Sequence, residues 1–428
     1  MNLEEIRQII RMAPIEPDPV RRRLSHCHSI DDLRAAARRV LPRSVFDYVD
    51  GAADEEVSLA ANRAAFRRYR FTPRMLRDVG TVSLATRVLG ADFGSPIGLA
   101  PTGYTGIVNP AGEVAVARAA ARHGVPYVLS TVGTTTIEDF AAATHQAPPH
   151  PGLWFQLYIL RDRGLTWSIV ERAAAAGLSA LEVTLDTAVP GKRLRDVRNG
   201  FTIPPTLTLT TLADIGVHFR YWTQMVTHAA PSFVNIAAAV EGGPATLADL
   251  SELFDPGLTW DDLAELRSRW PGKLLVKGPL SPDDAARAVA AGADGIHLSN
   301  HGGRQLDRTV APVELIRPVR ERVGADVTIV ADSGIRHGAD ALIALAFGAD
   351  LCMVGRAYLY GLAAGGELGV SRAVELLTGQ LRRTMQLCGV RTLAELRENA
   401  DDIVVLARRC QPEAQRQPEA QRQREDQR

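Results

Sequence analysis

A histidine and an arginine stand three residues apart in Ser299-Asn-His301-Gly-Gly-Arg304-Gln-Leu-Asp307, with two glycines between them. An imidazole can take a proton, and a guanidinium fork can hold a carboxylate in two parallel bonds. The glycines allow backbone to approach a flat ligand. Val276-Lys277-Gly278 ends another apolar run. A lysine there is costly to bury unless it meets an anion, and a Schiff-base role is the rival reading. In Thr184-Leu-Asp186 the period of two puts both polar residues on one face. Asp186 can then orient His301 and stabilise its imidazolium, or merely cap the next segment. Gln156 and Tyr158 share a face in the same way, and Arg193 and Arg195 follow Asp186. Asp332-Ser-Gly334-Ile-Arg336 and Gly355-Arg356 offer backbone N–H groups and guanidinium to a phosphate. Together these point to a phosphorylated cofactor beside a proton acceptor and a carboxylate clamp. No GxGxxG follows an apolar run, so a Rossmann nicotinamide site is not supported. No HExxH or His/Asp cluster argues for a metal.

The elements that must position these residues are regular. Apolar segments recur at Ile97–Pro101, Tyr127–Thr131, Trp154–Tyr158, Ala180–Thr187, Leu274–Gly278, Gly295–Asn300, Thr328–Gly334 and Leu351–Arg356. Each reads as a strand buried on both faces. Ala-rich amphipathic stretches lie between most of them, as at Gly112–His123, Gly164–Ala176, Pro282–Ala291 and Ala339–Phe347. About eight β-α units in series predict a closed (β/α)8 TIM barrel, an α/β fold whose chemistry sits at the C-terminal ends of its strands. Each chemically suggestive residue above falls at such an end. Residues 188–258 are a long insertion after the fourth strand, read as a lid or subunit contact, with peripheral membrane docking as the functional alternative.

The ends read differently. Residues 1–29 are expected to be a loosely ordered arm in which Arg21-Arg22-Arg23 is solvated. Ser29-Ile-Asp-Asp32 resembles a capping box opening a helix near 30–40. Residues 401–428, with Pro-Glu-Ala-Gln-Arg-Gln repeated at 412 and 418, are expected to form a disordered tail. The main domain is therefore 30–400. Lys+Arg and Asp+Glu both number 49, which gives no sign of a nucleic-acid surface. Four scattered cysteines read as reduced thiols. No signal peptide or membrane span is visible, and the expected location is cytoplasmic, with contact at the inner face of the cell membrane as an option.

The run from Ser299 to Asp307 resembles the signature of the FMN-dependent 2-hydroxy acid oxidase and dehydrogenase family. Phe46-Asp-Tyr-Val-Asp-Gly-Ala-Ala-Asp54, Ala100-Pro-Thr-Gly103, Phe155-Gln-Leu-Tyr158, Thr184-Leu-Asp186, Leu194-Arg-Asp-Val-Arg-Asn-Gly200 and Val276-Lys-Gly278 agree with it, so the resemblance covers roughly 30–400. It implies FMN as cofactor, His301 as base with Asp186 as its partner, and Arg193 and Arg304 on the substrate carboxylate. It implies Tyr48 and Tyr158 as substrate hydrogen-bonders, and Lys277 beside flavin N1. Thr102, Ser130, Gln156, Thr184 and Ser299 are implied as flavin contacts, Asp332 as a ribityl contact, and Gly334, Arg336, Gly355 and Arg356 as the phosphate site. His337 stands where the family often has a second Arg, which could soften the phosphate site or simply face solvent. Gly103 and Val132 are small and leave room for a substrate side chain. These features resemble the flavin L-lactate and mandelate dehydrogenase branch. That resemblance implies oxidation of an L-2-hydroxy acid, lactate before mandelate-like acids, electron transfer to a quinone, and a homotetramer. An oxidase using oxygen, a flavin-dependent peptide maturase and a non-catalytic flavin binder are the alternatives.

Overall fold

The computed structural model describes residues 16–144, 150–200, 216–228, 231–236 and 252–407. Eight short strands close a parallel barrel: β1 (Ile97–Leu99), β2 (Tyr127–Ser130), β3 (Leu153–Leu157), β4 (Ala180–Thr184), β5 (Lys273–Gly278), β6 (Gly295–Leu298), β7 (Thr328–Ala331) and β8 (Leu351–Val354). Each strand pairs with the next, and β8 returns to β1. All eight expected segments are present. Ser130, Gln156, Thr184 and Lys277 are the last or next-to-last residues of their strands, and His301, Asp332 and Arg356 follow theirs. Opposed pairs set their heights: Ser130 with Gln156, Thr184 with Lys277, and Lys277 with His297.

The barrel interior is filled, not hollow. Trp154, Ala180, Leu275, Val330, Leu351 and Met353 pack together at its N-terminal end. There a hairpin of Thr86–Val88 and Ala91–Phe93 inserts Val88 and Phe93 as a plug. Helices cover the outside at Gly112–Arg122, Arg163–Ala175, Pro282–Ala290 and Gly338–Ala346, within a residue or so of expectation. The Ser281 hydroxyl accepts from Asp284 N at 3.1 Å and Pro282 takes the first helical position, so the sequence signals for this helix start are realised.

Two boundaries need correction. The arm is not loose throughout: Pro19–Ser25 is a helix capped by Asp18, and Arg23 donates to the Ala364 carbonyl at 2.6 Å while Leu24 is buried. Arg21 and Arg22 are exposed, as expected. At the other end Val404–Leu406 pairs antiparallel with Tyr69–Phe71, and Ile403 and Val404 are buried, so the ordered domain runs to at least 407. Burial of that pair outweighs the polar surroundings that suggested a tail from 401. Residues 1–15, 408–428 and most of 201–251 lie outside the described residues, so the tail repeat and much of the insertion do too.

One ion cluster locks the N-terminal helices over the barrel mouth. Arg34, on the helix Ile30–Val40, donates to both oxygens of Asp50 at 2.6 and 2.7 Å. Tyr360, on the kinked helix Arg356–Leu387, donates to Asp50 at 2.7 Å, and Arg195 adds a bond at 3.1 Å. Burial alone would raise the Asp50 pKa, but Arg34 and Tyr360 hold it well below the ordinary carboxylate range. A depressed folded value stabilises the protein above the unfolded carboxylate pKa of ~3.9, and that stability is lost as pH falls through the folded value. Asp50→Asn should cost toward the lower end of ~3–5 kcal/mol, since Arg34 is partly exposed. It should also flatten the acid side of the stability curve. Urea unfolding at pH 7 and pH 3 measures both.

Candidate active site

Fourteen of the seventeen residues singled out from sequence line one cleft at the C-terminal end of the barrel, whose volume with its open mouth is ≈ 1570 Å³. Thr184, Asp186 and Ser299 are behind its wall. The loop after β6 brings in the histidine. His301 adopts φ 58°, a left-handed conformation that a non-glycine residue rarely accepts, and its N–H donates to Ser299 Oγ at 3.0 Å. Ser299 therefore supports the turn. The two glycines of this turn also pack closely against protein, and Gly302 lines the cleft. A Cβ on Gly302 would lie 2.5 Å from Arg356 Nη1, and one on Gly303 would lie 2.8 Å from Leu59 N.

His301 Nδ1 lies 3.1 Å from Asp186 Oδ1, and Nε2 lies 3.5 Å from the Tyr158 hydroxyl. With Asp186 ionised, Nδ1 carries the proton and donates it, which leaves the Nε2 lone pair toward the cleft. Asp186 stays below the usual carboxylate range because His301 outweighs its burial. Burial and then Lys277 push the His301 pKa down, against the pull of Asp186. A neutral imidazole at pH 7 is the form that accepts a proton.

The two carboxylate-binding candidates converge on one ring. The guanidinium carbons of Arg193 and Arg304 lie 5.3 and 5.1 Å from the centroid of Tyr48. Arg304 is fixed by the carbonyls of Tyr48 and Gly51 at 2.7 and 2.9 Å, and Arg193 by Asp196 at 3.0 Å. Arg195, the other arginine after β4, belongs instead to the Asp50 cluster and pairs with Glu56.

Polar residues at successive strand ends form a continuous row. The Ser130 hydroxyl donates to Gln156 Oε1 at 2.9 Å, and Gln156 Nε2 donates to Thr184 Oγ1 at 3.0 Å. Thr102 is held by the Tyr358 hydroxyl at 2.6 Å. Lys277 is 2% exposed, and its ammonium makes no hydrogen bond or ion pair among the described residues. Arg336 Nη1 is buried with no hydrogen-bond partner there. Beside it Gly334 has φ 94°, and a Cβ would lie 2.4 Å from Asn62 O. A flavin mononucleotide fits this set: an unpaired buried ammonium, an orphaned guanidinium N–H for its phosphate, and a row of amide and hydroxyl groups for its ring. Arg356 is different. Its side chain donates to the carbonyls of Val49, Gly302 and Gly51 at 3.1, 2.9 and 2.7 Å. Three of its five N–H donors are thereby used, and its backbone N–H opens the long helix at the cleft. His337 is exposed and caps the helix Gly338–Ala346 by accepting from Ala339 N at 3.0 Å. It faces solvent, the simpler of the two expectations.

A family profile for FMN-dependent dehydrogenases matches residues 37–402. The chain belongs to the FMN-dependent dehydrogenase family. FMN is accordingly its cofactor. The chain is 48% identical over 380 residues to a putative L-lactate dehydrogenase of Mycobacterium tuberculosis, covering 89% of this chain and 90% of that one. It is 40% identical over 382 residues to an L-lactate dehydrogenase of Pectobacterium atrosepticum, covering 88% and 97%. Among solved structures, the monotopic membrane protein (S)-mandelate dehydrogenase superposes with a TM-score of 0.83 at 38% identity, covering 89% of this chain and all of the other.

Sequence reasoning missed three parts of the site. Phe233 and Phe254 enter the wall from the insertion, and Phe254 meets the Tyr158 ring edge-on at 4.9 Å. No periodicity marks them. Asn62 and Asn300 exchange hydrogen bonds at 2.8 Å behind the His301 turn. Glu182 and His297 lie beneath the cleft; their signal was present, as charged residues two positions before Thr184 and Ser299 on the same strand faces.

Asp186→Asn should lower turnover ~10²–10⁴-fold, because the histidine loses its fixed tautomer. In the native protein the acid limb of kcat/KM should fall below pH ~6.5. Removing the carboxylate removes the upward pull on His301, so the limb should move to lower pH still. A limb that moved upward would exclude the pairing.

Proposed function

We propose that this protein oxidises a small L-2-hydroxy acid, L-lactate first, to the 2-oxo acid and passes the electrons to a quinone or similar acceptor. The observation that carries this is the convergence of a neutral histidine, two fixed guanidinium groups and two tyrosines on one cleft suited to a flavin. Arg193 and Arg304 hold the substrate carboxylate, and the Tyr48 and Tyr158 hydroxyls steady it. His301 Nε2 takes a proton from the substrate, and Asp186 stabilises the imidazolium that forms. Bound FMN supplies the two-electron acceptor. Lys277, Ser130, Gln156 and Thr102 hold its ring, with Thr184 fixing Gln156 from behind; Asp332 holds its ribityl chain, and Arg336, Gly334 and the N–H groups of Gly355 and Arg356 its phosphate.

Lactate is favoured over mandelate by the relatives. The relatives named above at 48% and 40% identity carry lactate dehydrogenase names. Phe233 and Phe254 give the side chain an apolar wall. A quinone acceptor agrees with peripheral membrane contact through the insertion. Among the described residues no helix is long and apolar enough to cross a membrane. The short helix Phe219–Val226 nevertheless exposes Phe219 and Val226 at 65% and 82%, and the mandelate dehydrogenase neighbour is described as monotopic. A homotetramer belongs to the same proposal.

The holoprotein with L-lactate should reduce a soluble quinone faster than it forms peroxide, with (S)-mandelate a poorer substrate. Arg304→Lys, which loses the fork, should lower kcat/KM ~10²-fold with FMN still bound. Peroxide as the main product would favour an oxidase. No turnover of any free 2-hydroxy acid would reject the proposal.

A further inference from the structure

Two ionisable side chains in the barrel interior are unused by the site above. Interior positions of such a barrel are normally apolar and bulky, and Leu275, Val330 and Met353 follow that rule. Glu182 on β4 and His297 on β6 break it, and neither side chain has any exposed surface. Glu182 Oε2 lies 2.7 Å from His297 Nδ1. His297 Nε2 lies 3.2 Å from Asp332 Oδ2, at ion-pair distance but an angle too poor for a hydrogen bond. Ser333 donates to the other Asp332 oxygen at 2.6 Å. Asp332 lines the cleft, while Glu182 and His297 do not. The row therefore runs from the packed interior, through His297, to the cleft wall.

Stability does not account for the pair, because a buried ion pair about breaks even with apolar residues of similar volume. Its effect on charge is more specific. Against burial, the two carboxylates hold the His297 pKa up at about 9, so it is an imidazolium at neutral pH. Against burial, His297 in turn holds Asp332 well below the ordinary carboxylate range. The imidazolium abuts the cleft carboxylate and Glu182 lies deeper, so the pair is a dipole with its positive end toward the cleft. Lys277 stands beside His297 in the strand register. With Asp332 engaged by His297, the Lys277 ammonium has no bonded counter-ion among the described residues.

We propose that Glu182 and His297 are positioning residues that engage Asp332 from below, keep it from neutralising Lys277, and so raise the potential at which bound FMN accepts electrons. The inference rests on FMN occupying the cleft and not on which acid is oxidised, so a wrong substrate would leave it standing.

The test is the FMN midpoint potential of the holoprotein, measured against a reference dye without substrate, with thermal unfolding alongside. In Glu182→Leu/His297→Leu, both charges go and the interior becomes apolar like its neighbours. Stabilisation of reduced over oxidised FMN should fall about tenfold, which is ~30 mV more negative for a two-electron couple. The thermal midpoint should change little. An FMN-loaded double variant with the native potential overturns the proposal.

Should that variant lose FMN, Glu182→Gln decides, since it keeps the shape and removes the counter-charge. The charged groups around His297 are Glu182 from β4, Lys277 from β5 and Asp332 after β7. In the native protein the potential should drop more steeply once pH passes about 9, where His297 loses its proton. In Glu182→Gln that break should move toward neutrality. A break that stays in place, or is missing from both proteins, overturns the proposal.

Discussion

Charge held in a dry place organises this molecule. A lysine, a histidine, four arginines and several carboxylates stand at or after the ends of strands rich in apolar residues, where each isolated charge would be costly. The structure meets that cost by pairing most of them. Asp186 takes His301, Asp196 takes Arg193, and backbone carbonyls take Arg304 and Arg356. Among the described residues, Lys277 and one nitrogen of Arg336 are left over. Groups left without partners in an otherwise satisfied wall mark where an anionic ligand belongs.

The same arrangement explains why the N-terminal helices matter to chemistry performed on the barrel. Tyr48 and Gly51 supply the carbonyls that aim Arg304, and Gly51 and Val49 those that hold Arg356. The segment carrying them is fixed by Asp50 through Arg34 and Tyr360. A contact far along the chain from His301 thus sets the direction of the guanidinium groups beside it. Placement of reacting groups to within an ångström is what such support secures.

Much of this was legible in the sequence. Continuous apolar runs of strand length, separated by amphipathic stretches, specify a parallel barrel. Strand-end positions alone then collect His301, Lys277, Gln156 and Asp332 at one mouth. Other parts were not legible. The roles of Gly302 and Gly303 depend on Arg356 and Leu59, which approach from distant segments. The carbonyl partners of Arg356 come from residues 49–51 and 302, which no local pattern shows. Val404–Leu406 looked like tail because its partner strand lies more than 300 residues earlier.

The central claim is that the neutral His301, oriented by Asp186, withdraws the substrate proton as the flavin is reduced. Rapid anaerobic mixing of the yellow holoprotein with L-lactate tests it in a single turnover. The native protein should bleach promptly, and His301→Gln, with FMN still bound, should bleach ~10²–10⁴ times more slowly. Bleaching of that variant at the native rate would contradict the account.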